Sequence, residues 1–204
     1  MSLTAEQSIP GHPRPFLTWD PILILLLALL VRLVTYNGAF GSDDLTYFDR
    51  ALQLARGDWS SANYNGALRY GFNLPAAAFI ALFGESLFVA NLWPLACSLI
   101  EIGAVFVFAK AVMHRRAGIF AALLLATAPL HIAVATRIHA DAVVSMFTTV
   151  SFVLLYLGIL RCRPWLLFSV YGLECVACRI STSSCSHCET ASEIKRAFSW
   201  VSGE

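Results

Sequence analysis

Residues 88–112 read FVANLWPLACSLIEIGAVFVFAKAV, and in that whole stretch only Glu101 and Lys110 carry charge. As a helix rising about 1.5 Å per residue, it is long enough to cross roughly 30 Å of hydrocarbon. A helix on a soluble surface would show a polar face every third or fourth residue, and this one does not. The stretch therefore decides the fold, because a helix apolar on all sides belongs in a bilayer.

The same signature recurs on both sides. Ile22 to Thr35 holds one charge, Arg32, and Pro21 and Tyr36 extend it. Ile119 to Thr136 and Ala142 to Leu160 hold no Asp, Glu, Lys or Arg at all. Within 204 residues, four such helices could not cover one another on every side, so lipid must cover them. Composition agrees: 58% of residues are hydrophobic and 13% charged, against roughly 45–50% and 25% in soluble domains. A net charge of +1 without a basic cluster excludes nucleic acid as a partner. The expected fold is all-α, a polytopic transmembrane helical bundle of about four spans. An outer loop carries short surface helices, and an irregular tail follows.

Met1 to Asp20 is polar, contains Pro10, Pro13 and Pro15, and lacks the basic start of a secretion signal. No small-residue cleavage site follows the first apolar run, so that run is expected to stay as a membrane helix. The segment 37–87 is the outer loop. Within it Leu45, Phe48, Ala51, Leu52 and Ala55 recur at helical spacing, which predicts a short amphipathic helix on the membrane surface over Leu45 to Arg56. Leu74 to Phe83 is apolar but too short to cross. It reads as a half-buried or re-entrant piece leading into the next span, with a hairpin of two squeezed spans between Leu74 and Val112 as the alternative.

Orientation follows from the basic residues beside the spans. Lys110, His114, Arg115 and Arg116 follow the second span, and Arg161 and Arg163 follow the last. Placing both clusters in the cytoplasm puts the N-terminal segment 1–20 inside and the 37–87 loop outside. It also puts Asp43, Asp44 and Asp141 on one non-cytoplasmic side, although Arg137 lies there against the rule. The membrane domain is expected over 21–161. From Cys162 the character changes: five of six cysteines and eight serines fall in the tail 162–204, and no further span of adequate length occurs. The tail reads as a non-native or disordered segment, as a shifted reading frame would give.

Four groups could carry chemistry. Asp43 and Asp44 follow the glycines that end the first span, at a depth where a lipid-linked head group would lie. One carboxylate can act as a general base while its neighbour anchors a metal or repels the first charge. The structural alternative is a helix N-cap formed by Ser42 or Asp43, with acids in the first turn. Arg69, beside Tyr70, can clamp a phosphate or simply snorkel at the membrane boundary. Asp141, with His139 and Arg137 nearby, is a cap or a contributor to the same outer face. Arg32 and Glu101 sit within apolar spans and need partners, either an internal ion pair or a lipid phosphate. Finally, Cys175, Cys178, Cys185 and Cys188 form two C-x-x-C pairs, with His187 inside the second. Their separation is shorter than a zinc ribbon's, so the metal-site match is incomplete.

Taken together these blocks resemble the amino-terminal part of the GT-C glycosyltransferases, and among them the protein O-mannosyltransferases and lipid A aminoarabinose transferases. The likeness covers about Asp20 to Arg161. It rests on Arg32 in the first span, then SDDLTYFDRA, LARGDW, RYGFNLPAAAFIALFGES and AGIFAALLLATAPLHIAVATRIHADAVVSMF in that order. The resemblance implies transfer of a sugar from a polyprenyl-phosphate or dolichyl-phosphate donor to a hydroxyl of a protein, lipid or glycan acceptor. It implies Asp43 as the base, with Asp44 assisting or helping to hold a divalent cation where one is used. It also implies Arg69 and Tyr70 near the donor and Asp141 supporting the site. The one cofactor the resemblance allows is a divalent metal ion. The family's members have about a dozen spans, so the resemblance implies a truncated piece with little activity alone. The expected location is a bacterial inner membrane, or the endoplasmic reticulum in a eukaryote. The competing reading is a non-catalytic membrane protein, such as a transporter segment or assembly subunit.

Overall fold

The computed structural model describes residues 19–36, 38–39, 41–60 and 69–160. The N-terminal segment before Trp19 and the cysteine pairs of the tail lie outside the described residues. Among those residues all regular structure is helical: α1 Asp20–Val34, α2 Ser42–Ala55, α3 Tyr70–Phe83, α4 Leu87–Val112, α5 Arg115–Thr127, α6 Pro129–Ala135 and α7 Asp141–Leu160. The decisive apolar stretch is α4, which sits at the centre with α1, α3, α5 and α7 packed around it.

By length and composition α4 and α7 can each cross a membrane. The apolar run from Ile119 to Thr136 is not one straight helix. It is α5 and α6 meeting at a 61° bend, a broken span or re-entrant loop. The cause is Pro129, which has no N–H and pushes Ala128 out of the helical region; Ala128 is extended, with φ −63° and ψ 120°. α1 has 15 residues, a rise of about 22 Å and so less than the hydrocarbon thickness. Two helices thus qualify as spans among the described residues, or three with the bent pair counted as one.

α4 and α5 form a tight hairpin through Met113 and His114. Gly118 makes it close: a Cβ there would lie 2.9 Å from the Phe106 carbonyl oxygen and 3.2 Å from the Lys110 Cβ. Gly118, Ala122 and Ala126 repeat every four residues and are all buried, the small-residue face by which membrane helices approach one another. Ile24, Ala28, Ile102 and Phe106 complete this apolar cluster. Arg115 donates from Nε to an Asp20 carboxylate oxygen at 2.6 Å, which ties the starts of α1 and α5 together at one end of the bundle.

At the other end lie the two helices of the 37–87 segment. α2 forms as its periodicity requires, burying Tyr47, Ala51 and Leu54. Its start differs from the expected cap: Gly41 is the N-cap and no side chain caps the helix, while Asp43 and Asp44 occupy the first turn. There the unpaired N–H groups and the helix dipole favour acids without any cap bond. Gly57, at φ 83°, ends the helix; its N–H bonds the Leu54 carbonyl and the Asp58 N–H bonds the Gln53 carbonyl, the pairing of a Schellman stop.

α3 begins at Tyr70, four residues before the apolar run suggested, and contains Pro75. A proline deprives the carbonyl four residues back of its donor. That carbonyl, Gly71, instead accepts the Trp93 indole N–H at 3.2 Å. The proline vacancy thereby becomes the joint between α3 and α4, and α3 continues into α4 through Gly84, at φ 97°. Phe72, Ala76 and Ile80 of α3 pack with Tyr47 and Ala51 of α2 and with Ile138, Ala140, Val143 and Met146 of the α6–α7 region.

Candidate functional site

The second apolar cluster gathers several sequence-predicted residues at one end of the bundle. Tyr47 projects from α2 into the interior. Its hydroxyl accepts a 2.6 Å hydrogen bond from Arg69 Nη1, and the guanidinium carbon lies 5.8 Å from the ring centroid. On its other side the Tyr47 ring meets His139 edge-on, with centroids 5.5 Å apart. His139 Nδ1 lies 3.1 Å from Asp141 Oδ1. A continuous line therefore runs from the start of α3, through α2, to the start of α7.

The acidic pair sits above this line. On a helix, residues three and four apart share a face, so both acids lie one turn before Tyr47. Their environments differ. Asp43 is exposed, whereas Asp44 is buried, 5% exposed, and engaged in a further interaction. One carboxylate is open to an incoming group and its neighbour is anchored. The Asp141 side chain is likewise open, 63% exposed.

Arg69 bonds to Tyr47 and not to its neighbour Tyr70, which opens α3 and is exposed. Tyr47 is the residue that sequence reasoning left out of the site. Its spacing of three and four from the acids, on the buried face of α2, is the signal that could have found it. Among the described residues no three His, Cys, Asp or Glu side chains cluster to hold a metal ion.

Arg32 and Glu101 are placed elsewhere, in the interior between α1, α4, α6 and α7. They do not pair directly. His131 stands between them, 2.7 Å from Arg32 Nη2 and 3.1 Å from Glu101 Oε2. Arg32 is 0% exposed, so a lipid phosphate has no access, and the direct internal ion pair that was the other expectation is replaced by a link through His131. Sequence reading missed His131 because that stretch was judged by its lack of Asp, Glu, Lys and Arg. A histidine two residues after a proline inside an apolar run was the available signal.

Comparison with known proteins adds one finding. The family of dolichyl-phosphate-mannose-protein mannosyltransferases matches residues 71–173. The match takes in α3 to α7, including Asp141, and runs on past Arg161. α1 and α2, with the acidic pair, precede it. No curated protein and no solved structure matches the chain.

Proposed function

Because the chain belongs to the dolichyl-phosphate-mannose-protein mannosyltransferase family, we propose that the end of the bundle bearing α2 moves a mannosyl group from a dolichyl- or polyprenyl-phosphate donor to an acceptor hydroxyl. The membrane-glycosyltransferase character follows from the family. The donor, the acceptor and the residue roles are the proposal. The observation that carries it is the line Arg69–Tyr47–His139–Asp141 lying one helical turn from an exposed and an anchored carboxylate.

In this reading the acceptor oxygen attacks the anomeric carbon while the bond from that carbon to the phosphate oxygen breaks. The electron pair of that bond leaves with the lipid phosphate, and the acceptor proton passes to Asp43. Configuration inverts. Lipid phosphate is a good leaving group, so the protein's tasks are positioning, base catalysis and charge stabilisation. Asp43, open to solvent, is the base. Asp44, buried beside it in the first turn of α2, assists the base. Arg69 has one arm on Tyr47, and a guanidinium carries further N–H donors able to receive the phosphate. Asp141, through His139, supports Tyr47 from the α7 side.

The test is transfer in membranes holding a full-length relative, with the residue that matches Asp43 changed to Asn and compared to the unaltered protein. Loss of general-base catalysis lowers turnover by about 10²–10⁴-fold, with insertion and abundance unchanged. Equal turnover removes Asp43 from the mechanism. Leu45, exposed on α2, replaced by cysteine, is expected to react with an impermeant thiol reagent from the non-cytoplasmic side. Reaction only from the cytoplasm would leave the donor without a site. A non-catalytic subunit would show no transfer even unaltered.

A further inference from the structure

The proposed site leaves unused the most deeply buried charged assembly among the described residues. Arg32 of α1 donates from Nε to Ser98 Oγ at 2.8 Å and from Nη1 to the carbonyls of Ala28 and Ala126 at 3.0 and 3.4 Å. Its Nη2 reaches His131 Nδ1 at 2.7 Å. A guanidinium has no acceptor, so His131 must offer a lone pair at Nδ1. The ring N–H is then on Nε2 and donates to Glu101 Oε2 at 3.1 Å. The other Glu101 oxygen accepts from Ser145 Oγ at 2.7 Å and Thr149 Oγ1 at 3.0 Å. His131 is thereby a directional link, an acceptor toward α1 and a donor toward α4. A ring turned over, or protonated on both nitrogens, would point an N–H at the guanidinium.

The place of this link in the chain gives it a use. His131 is the third residue of α6, the seven-residue piece beyond the break at Ala128 and Pro129. So short a helix has little stability of its own, and its direction is set by whatever holds it. Besides its packing on α1, α4, α5 and α7, two side-chain links tie it down among the described residues: the Arg32–His131–Glu101 link near its start and Asn91 Nδ2, which donates to the Ala135 carbonyl at 3.4 Å, at its end. Beyond Ala135 the chain runs through buried Ile138 and Ala140 to His139 and Asp141, the two groups that meet α2 through Tyr47.

We infer that His131 is a positioning residue: by joining Arg32 to Glu101 it fixes α6, and with it the segment that leads from α6 to His139 and Asp141 on the Tyr47 face of α2. The inference rests on the glycosyltransferase reading for its kinetic consequence only; the positional claim stands on the contacts themselves.

The experiment uses the full protein in lipid nanodiscs and compares His131→Gln with His131→Leu. Glutamine keeps one acceptor and one donor; leucine keeps the bulk and neither. With dolichyl-phosphate mannose as donor, His131→Leu is expected to lower kcat on the order of a hundredfold, the scale of a 1 Å misplacement, with a smaller change in KM. His131→Gln restores most of it. A second arm needs no activity. Tyr47→Cys with His139→Cys, on a background without the native cysteines, is joined by a short bifunctional thiol reagent. Joining is expected with His131 and with His131→Gln, and is lost with His131→Leu. Solid-state nitrogen NMR of histidine-labelled protein, assigned by the His131→Gln variant, is expected to show a ring protonated on Nε2 alone. Unchanged joining in His131→Leu, glutamine failing as badly as leucine, or a proton on Nδ1 would each overturn the inference. Joining and NMR decide the role of His131 independently of transfer, so their failure is distinct from failure of the glycosyltransferase reading, which the Asp43→Asn comparison tests.

Discussion

Two sets of arginine, histidine and acid occur in this molecule, and they behave oppositely. In the interior, Arg32, His131 and Glu101 are closed on themselves and wrapped by Ser98, Ser145 and Thr149. At the α2 end, Arg69, His139 and Asp141 are strung on one tyrosine, with the exposed Asp43 carboxylate one turn away. Charges taken out of water must find partners inside the protein, so the interior set is saturated and serves to hold helices together. Charges at a rim keep part of their hydration and can exchange it for a ligand. The difference teaches that an ionisable residue in an apolar span is not by that fact a substrate site; its state of satisfaction decides.

Replacing one member of each set sharpens the contrast, and the largest effect belongs to the interior. Arg32→Met leaves the Glu101 carboxylate buried without its counter-charge and is expected to cost about 3–5 kcal/mol of stability, measured as thermal unfolding in detergent. Adding Glu101→Gln should recover much of that loss. If Arg32→Met melts like the unaltered protein, the interior set is not what joins α1 to α4 and α6. At the rim the expectation reverses. Arg69→Ala should leave unfolding within about 1 kcal/mol yet lower kcat/KM about tenfold or more, the equivalent of 1.4 kcal/mol in the transition state.

Trp93→Phe tests the joint that sets α3 against α4. It orphans the Gly71 carbonyl released by Pro75 and should cost about 1 kcal/mol, read in the same unfolding assay. The smallest effect belongs to the exposed Arg56–Glu85 pair, 2.9 Å apart between α2 and the α3–α4 turn. The Arg56 hydrogen bond, with its charge, holds the Glu85 carboxyl below the usual carboxylate range. A lowered carboxylate stabilises the fold above its ordinary range, and that contribution is lost as pH falls through the lowered value. Arg56→Gln should return the Glu85 titration, followed by carbon NMR of the carboxyl, to its ordinary position without measurably altering unfolding at neutral pH.

Much of this was legible in the chain itself, for reasons that are local. α4 and α7 follow from uninterrupted apolar length, and α2 follows from a 3.6-residue period between polar flanks. The N-cap was misplaced by one or two residues because Ser42 and Asp43 are good caps by type, whereas the helix already begins at Ser42 and the extended Gly41 takes the cap position without a side-chain bond. The third apolar run gave no hint of its angle, although Pro129 marked where a break would fall. Tyr47 and His131 were missed because each acts through a partner remote in sequence: Tyr47 with Arg69 and His139, His131 with Arg32 and Glu101.

Sequence by itself determined that the chain is helical and belongs in lipid, because apolar length and the cost of an unpaired backbone group in hydrocarbon leave few alternatives. It also determined which ionisable residues would have to be accounted for. Only the tertiary structure decided which of them close on one another and which stay open. That depends on distances between helices separated by dozens of residues, and no local pattern encodes those distances.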